Sequence, residues 1–181
     1  MDTTSPAIAS GGDKPRYGVA RRPRWITRVD QFWNVYLRSL SQTAYPKGHF
    51  YEAFCFGNNE WLANECADLV TRGIKTSTST LLWEYEAKGQ TPPQPGDLSI
   101  VTNWNGEPLC IIETLELTIV PFRGVDEKFV SDYGEGDRSL NWWHTDMWEY
   151  YSKECARLGR SPSIDMPLVC ERFQVVFVKE D

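Results

Sequence analysis

Two β-rich runs separated by Asn105-Gly106 constrain this chain more than any other feature. Asn and Gly both enter the left-handed backbone region cheaply, as the tight turn of a twisted hairpin requires. Residues 98–104 and 109–114 are therefore expected to pair antiparallel. Pro92-Pro93-Gln94-Pro95-Gly96-Asp97 reads as a loop that launches the first of these strands. Residues 117–122 continue the sheet, residues 168–178 close it, and the aromatic stretch 50–56 adds a further strand.

Helical periodicity lies outside that run. After Val29, the residues Phe32, Trp33, Tyr36, Leu37 and Leu40 recur as the stripe of an amphipathic helix, broken by Pro46-Lys47-Gly48. Asn58 or Asn59 can cap a second helix with the face Leu62, Ala63, Cys66, Ala67, Leu69 and Val70, and Gly73 closes it. A short helix fits residues 125–131. Ser139 caps a long one, running to about residue 158, with Leu140, Trp143, Met147, Tyr150, Tyr151 and Cys155 on its face. No internal repeat is present. Strands grouped by hairpins, with helices kept outside them, imply an α+β fold. A small, curved or closed mixed barrel with helices packed around its rim is the economical architecture.

Residues 1–24 are polar, basic and proline-punctuated without apolar period, so they read as a flexible N-terminal tail before a single domain over 25–181. With 41% hydrophobic residues and eight each of Trp, Tyr and Phe, that domain has ample material for a core. No apolar run reaches the roughly 18 residues of a membrane helix, and no secretory signal is evident. Five Cys without a C-x-x-C pair fit a reducing compartment, hence a cytoplasmic location. A net charge of −6 argues against non-specific binding of polyanions.

Dinucleotide loops, phosphate loops, nucleophile elbows and zinc helices are all missing from the sequence. His49 and His144 stand in no metal-binding spacing, so neither a metal nor a cofactor is expected. His144 is placed on the exposed side of its helix. Cys55, Cys66 and Cys110 fall in apolar runs and read as buried hydrophobes, while Trp142, Trp143 and Trp148 read as core or groove lining.

Two segments carry more. In Gly73-Ile74-Lys75-Thr76-Ser77-Thr78, a lysine follows a helix-closing glycine and precedes five hydroxyl residues, a grouping suited to an anion or a polarised carbonyl. A desolvated lysine there becomes a base toward a hydroxyl; the plain alternative is a polar strand edge with Lys75 in water. In Gly134-Glu135-Gly136-Asp137-Arg138-Ser139-Leu140, glycines flank a carboxylate and permit close approach of a ligand. The plain alternative is a helix lead-in capped by Asp137 or Ser139.

The G-x-K-x-x-T segment at 73–78, Pro95-Gly96-Asp97 before a strand, Glu-Gly-Asp-Arg-Ser-Leu before a tryptophan-rich helix, and the ending Pro167-Leu168-Val169-Cys170-Glu171-Arg172-Phe173 occur in that order. Together they resemble the larger bacterial members of the ASCH domain family, a branch of the PUA-like fold. The resemblance spans roughly residues 50–178. It implies a small barrel with a cleft beside the G-x-K motif that holds RNA or a modified nucleoside. It also implies single-strand ribonuclease activity or, in a smaller member type, amide hydrolysis of N4-acetylcytidine. Mapped onto this chain, the catalytic residues become Lys75, Thr78 and Glu135, with Asp137 open as the alternative acid; Gly73, Thr76, Asp137 and Arg138 become substrate-binding. Thr80 stands where the family often has an arginine, removing a bidentate anion fork; Arg138 or Lys88 could replace it. The expected function is thus a metal-independent hydrolase acting on RNA, alternatively on an N4-acylated cytidine, or else a non-catalytic RNA-binding module.

Overall fold

A computed structural model describes residues 24–40 and 48–179. Residues 1–23 of the expected tail, and Pro46-Lys47 of the expected helix break, lie outside them. In chain order the elements are α1 (Arg24–Ser39), β1 (Ala53–Phe54), α2 (Glu60–Thr71), β2 (Ser77–Leu81), α3 (Leu82–Lys88), β3 (Leu98–Thr102), β4 (Pro108–Pro121), a 3-10 turn (Phe122–Gly124), α4 (Glu127–Tyr133), α5 (Leu140–Arg157) and β5 (Pro167–Val178). The fold is α+β, as its strand grouping implies.

The five strands form one sheet in the order β1-β3-β4-β5-β2. β1 runs parallel to β3; the other neighbours are antiparallel. The barrel expected from the sequence is not seen. Among the described residues β1 and β2 stand at opposite edges and the sheet stays open. The expected strand over 50–56 shrinks to Ala53–Phe54. Curvature comes instead from the long β4–β5 pair, whose register shifts at Ile111/Ile112 and Thr114/Glu116. The second half of β4 covers the run expected as a separate continuation, 117–122, except that Phe122 turns into the 3-10 segment.

Three apolar clusters fix the helices. Val29, Phe32, Trp33 and Tyr36 of α1 pack on Leu98, Ile100, Ile111 and Phe177. Cys66, Ala67 and Val70 of α2 take the other face of the same strands, against Val101, Cys110, Ile112 and Phe173. Toward β2, helices α4 and α5 bury Phe129, Val130, Trp143, Met147 and Tyr151 against Leu81, Leu168 and Cys170. Side-chain caps hold three helix starts: Asn59 accepts from Leu62 N, Asp126 from Phe129 N, and Ser139 from Trp142 N. Each such cap contributes about 1 kcal/mol. Helix α3 has no side-chain cap, because Leu81 leads straight from β2 into it, and Gly89 ends it in the left-handed region. His144 is half-buried rather than on the exposed side, its ring 5.1 Å from that of Phe122. Cys55 is likewise only partly buried, whereas Cys66 and Cys110 are fully inside.

Candidate functional site

Helix α2 ends at Gly73, whose φ of +68° reverses the chain, and the amides of Ile74 and Lys75 both return to Leu69 O. This turn sends the Lys75 side chain inward, where it is 0% exposed. Its Nζ lies 2.7 Å from Glu135 Oε1 and donates to Tyr133 O at 3.3 Å. The ammonium also sits 3.4 Å from the centroid of the Tyr133 ring and 5.3 Å from that of Phe56. The solvated strand-edge alternative for Lys75 is therefore excluded. Beside the pair lies Cys66, whose thiol is pushed up by burial and by the Glu135 carboxylate, so it stays protonated. Removing two charges from water costs several kcal/mol per ion, and only close pairing with extra hydrogen bonds offsets it.

Glu135 reaches Lys75 because its neighbours are glycines. A Cβ on Gly134 would stand 2.7 Å from Ile74 O and 2.9 Å from Lys75 Cα, so the two backbones touch only in the absence of a side chain. A Cβ on Gly136 would fall 2.1 Å from the Trp142 indole. The glycines thus serve backbone packing, not the approach of a ligand. Both helix lead-in contacts are present as well: Asp137 accepts from Ser139 N at 2.8 Å, and Ser139 accepts from Trp142 N at 3.0 Å. The Asp137 carboxyl, exposed, is held below its ordinary value by the Ser139 hydrogen bonds. Of the two candidate acids, Glu135 meets Lys75 and Asp137 belongs to the cap. Arg138 is exposed, with φ at +61°. Lys88, the other candidate cation, pairs with Glu84 at 3.3 Å.

Thr78 lies elsewhere. Side chains alternate along β2: Ser77 donates to Phe129 O at 3.0 Å and Ser79 accepts from the Tyr151 hydroxyl at 2.7 Å, both toward α4 and α5. Thr78 and Thr80 consequently face the other side of the sheet, the side that α2 covers farther along. Thr76 is held by α4, its amide donating to Asp132 O at 2.8 Å.

On the Thr78 side the structure places a group that sequence reasoning did not single out. Glu171 of β5 is the cross-strand partner of Thr78, and it is only 8% exposed. Thr114 of β4 donates to its Oε1 at 2.6 Å. Burial, reinforced by Glu52 and Asp97 and opposed by the Thr114 hydrogen bond, pushes the Glu171 carboxyl up to about 7. Tyr85 of α3, hydrogen-bonded to Thr80, and Tyr51 flank the same group, and burial raises both hydroxyls. The signal for Glu171 was its place in Val169-Cys170-Glu171-Arg172-Phe173, where alternation puts it on the same face as Val169 and Phe173.

A groove of about 580 Å³ between α1 and the ends of β4 and β5 is lined by apolar residues such as Phe32, Val35 and Phe177 and by polar ones such as Arg28, Glu107 and Lys179. It lies on the α1 side of the sheet, away from Lys75 and Thr78, and its volume marks no chemistry. Among the described residues, no group of three His, Cys, Asp or Glu is placed to hold a metal ion, and no helix is long and apolar enough to cross a membrane.

An open α+β sheet with a glycine-framed, buried Lys–Glu pair at the start of one edge strand defines the class, and comparison with known proteins agrees. The sequence pattern of the ASCH domain matches residues 52–177, so the chain belongs to the ASCH domain family. The ASCH domain from Lactobacillus crispatus JV V101 shares 40% identity over 83% of this chain and 95% of its own, with a TM-score of 0.79. A protein from Enterococcus faecalis V583 shares 27% identity over 84% of this chain and 90% of its own, with a TM-score of 0.73. No curated protein matches this chain.

Proposed function

We propose that this ASCH domain recognises RNA or a nucleoside through the sheet face bearing Thr78, and hydrolyses an acyl group from the base without a metal ion. The observation that carries this reading is the 2.7 Å Lys75–Glu135 pair, fixed at the start of β2 within the G-x-K-x-x-T frame. That pair orients the strand that presents Thr78. The family is generally linked to RNA binding, which supports the substrate class.

Between the two hydrolytic routes the surroundings favour the amide. Cleaving RNA needs a cation free to meet the charge on the phosphorane, and Lys75 is fully buried in its pair. In amide hydrolysis, the oxygen of Thr78 or of water adds to the acyl carbon and the C–N bond breaks. The proton released by the nucleophile passes to the leaving amine, and water frees any acyl-threonine. Lys75 and Glu135 act as positioning residues. Gly73 and Thr76 are committed to the chain's own backbone and Asp137 to the helix cap, which leaves the exposed Arg138 at the loop rim to meet the ribose.

The test is incubation with single-stranded RNA and with N4-acetylcytidine, followed by mass spectrometry. Release of cytidine and acetate, abolished in Thr78→Val, is the expected result. RNA fragments would overturn the amide route in favour of ribonuclease chemistry. Binding without any product would reduce the protein to a reader.

A further inference from the structure

Glu171 poses a problem that its fold does not solve. Its carboxyl is buried, yet its hydrogen-bond partner is a neutral hydroxyl, and among the described residues no Lys or Arg forms an ion pair with it. Arg172, next in sequence, points to the other face, where it pairs with Asp132. The charges that do act on Glu171 are Glu52, preceding β1, and Asp97, preceding β3; both repel a negative charge. Tyr51 and Tyr85 supply hydroxyls that stay protonated, β2 contributes Thr78, and β4 contributes Thr114 and Leu117. A buried carboxylate in such company is costly, and burial with like charges favours the neutral acid.

We propose that Glu171 reads the substrate: as a neutral carboxylic acid it presents a hydroxyl donor beside a carbonyl acceptor, matching a planar heterocycle whose edge carries an acceptor beside a donor. The inference rests on the nucleoside-recognition reading above and names the residue that would carry it. Thr114 occupies one lone pair of Oε1, which assigns Oε1 the carbonyl role and leaves its second lone pair free, while Oε2 carries the proton. A cytosine edge fits this pair, its N3 accepting from Oε2–H and its N4–H donating to Oε1. Ionised Glu171 offers two acceptors and suits a base with two adjacent donors instead, as on guanine. The cross-strand position of Thr78 puts its hydroxyl beside the same edge.

The experiment is calorimetric titration of the full chain with cytidine and with guanosine from pH 6 to 8.5, in wild type, Glu171→Gln and Glu171→Ala. Wild type should prefer cytidine at pH 6 and lose affinity above pH 7, approaching tenfold per pH unit as Glu171 ionises. Glutamine keeps one donor and one acceptor but cannot ionise, so Glu171→Gln should restore cytidine binding with a flat pH profile. Glu171→Ala should weaken it about tenfold or more at pH 6. An unchanged sloping profile in Glu171→Gln, full affinity in Glu171→Ala, or a guanosine preference at pH 6 would overturn the assignment while leaving nucleoside recognition standing. No binding of either nucleoside at any pH would bring down both. Should Glu171→Ala fail to fold, the Glu171→Gln profile decides alone.

Discussion

Two carboxylates, Glu135 and Glu171, lie against the region around β2, and the protein treats them in opposite ways. Glu135 is 14% exposed and meets a wholly buried ammonium at 2.7 Å. Glu171 is 8% exposed and, among the described residues, its carboxylate accepts from the Thr114 hydroxyl, with Glu52 and Asp97 adding repulsion. The first arrangement neutralises charge internally and fixes a loop to a strand. The second leaves a hydrogen-bonding capacity that the chain itself does not use up, and it charges the fold for doing so at neutral pH.

The largest expected effect breaks the first of these regions. Glu135→Ala leaves the Lys75 ammonium buried without its counter-charge and should cost about 3–5 kcal/mol. For a domain of this size that is a fall in melting temperature of roughly 10 °C. Replacing both partners together, as Lys75→Met with Glu135→Leu, should recover most of the loss, since two apolar groups leave no orphaned charge. Denaturant unfolding of the two variants beside wild type checks this. A loss below about 1 kcal/mol in Glu135→Ala would mean that the pair is not the anchor of the loop.

The next prediction contrasts the second region by pH. The Glu171 carboxyl is raised from its ordinary 4.5 to about 7 in the folded chain. Below about pH 4 it is protonated in both folded and unfolded chains and costs nothing. As pH climbs from there to 7, the unfolded chain gives up this proton first, so stability falls; above 7 the whole penalty of about 3 kcal/mol is present. Glu171→Gln removes that slope. Urea midpoints at pH 5 and 8.5 should therefore diverge in wild type by more than in the variant, and parallel behaviour would show that Glu171 does not titrate in this window.

Much of the fold is legible because its signals are local. The hairpin between β3 and β4 forms as expected, although its loop spans 103–107 and only Gly106, not Asn105, takes the left-handed φ; Asn59 and Ser139 set two helix starts, and the periodic face of α5 buries Trp143, Met147, Tyr151 and Cys155. The open sheet was not legible, because which strands stand at its edges depends on pairings between segments distant in sequence. Helix α3 was hidden because Leu81 carries no capping side chain. The meeting of Lys75 with Glu135 follows from no spacing rule; only the resemblance to ASCH domains anticipated it. Glu171 escaped notice because a single acid in an apolar strand reads as a solvent-facing position until both neighbouring strands are known.

A smaller effect tests how the first region is held. Gly134→Ala forces a side chain into Ile74 O and the Lys75 backbone at a φ of +77°, so the loop must retreat from β2. The expected cost is about 2 kcal/mol, accompanied by loss of the protected environment of Lys75. Nuclear magnetic resonance of the Lys75 side chain checks it. An unshifted Lys75 signal with unchanged stability would show that the close backbone contact is not what brings Glu135 into place.

The smallest effect sharpens the contrast from the Glu171 side. Thr114 is the one partner that favours the ionised form of Glu171, since it donates to Oε1 at 2.6 Å while burial, Glu52 and Asp97 all favour the acid. Thr114→Val keeps the shape of the side chain and removes only the donor, at a cost of about 1 kcal/mol. With that donor gone, the carboxyl should hold its proton to still higher pH. The decline in stability attributed to Glu171 should therefore begin at the same pH, set by the unfolded chain, but run on to higher pH before it levels off, and cytidine affinity should persist to higher pH than in wild type. The two shifts must move together, because one proton governs both. A variant in which the stability window moves up while the binding window stays fixed would separate the titrating group from the reading group, and Glu171 would keep the first role only.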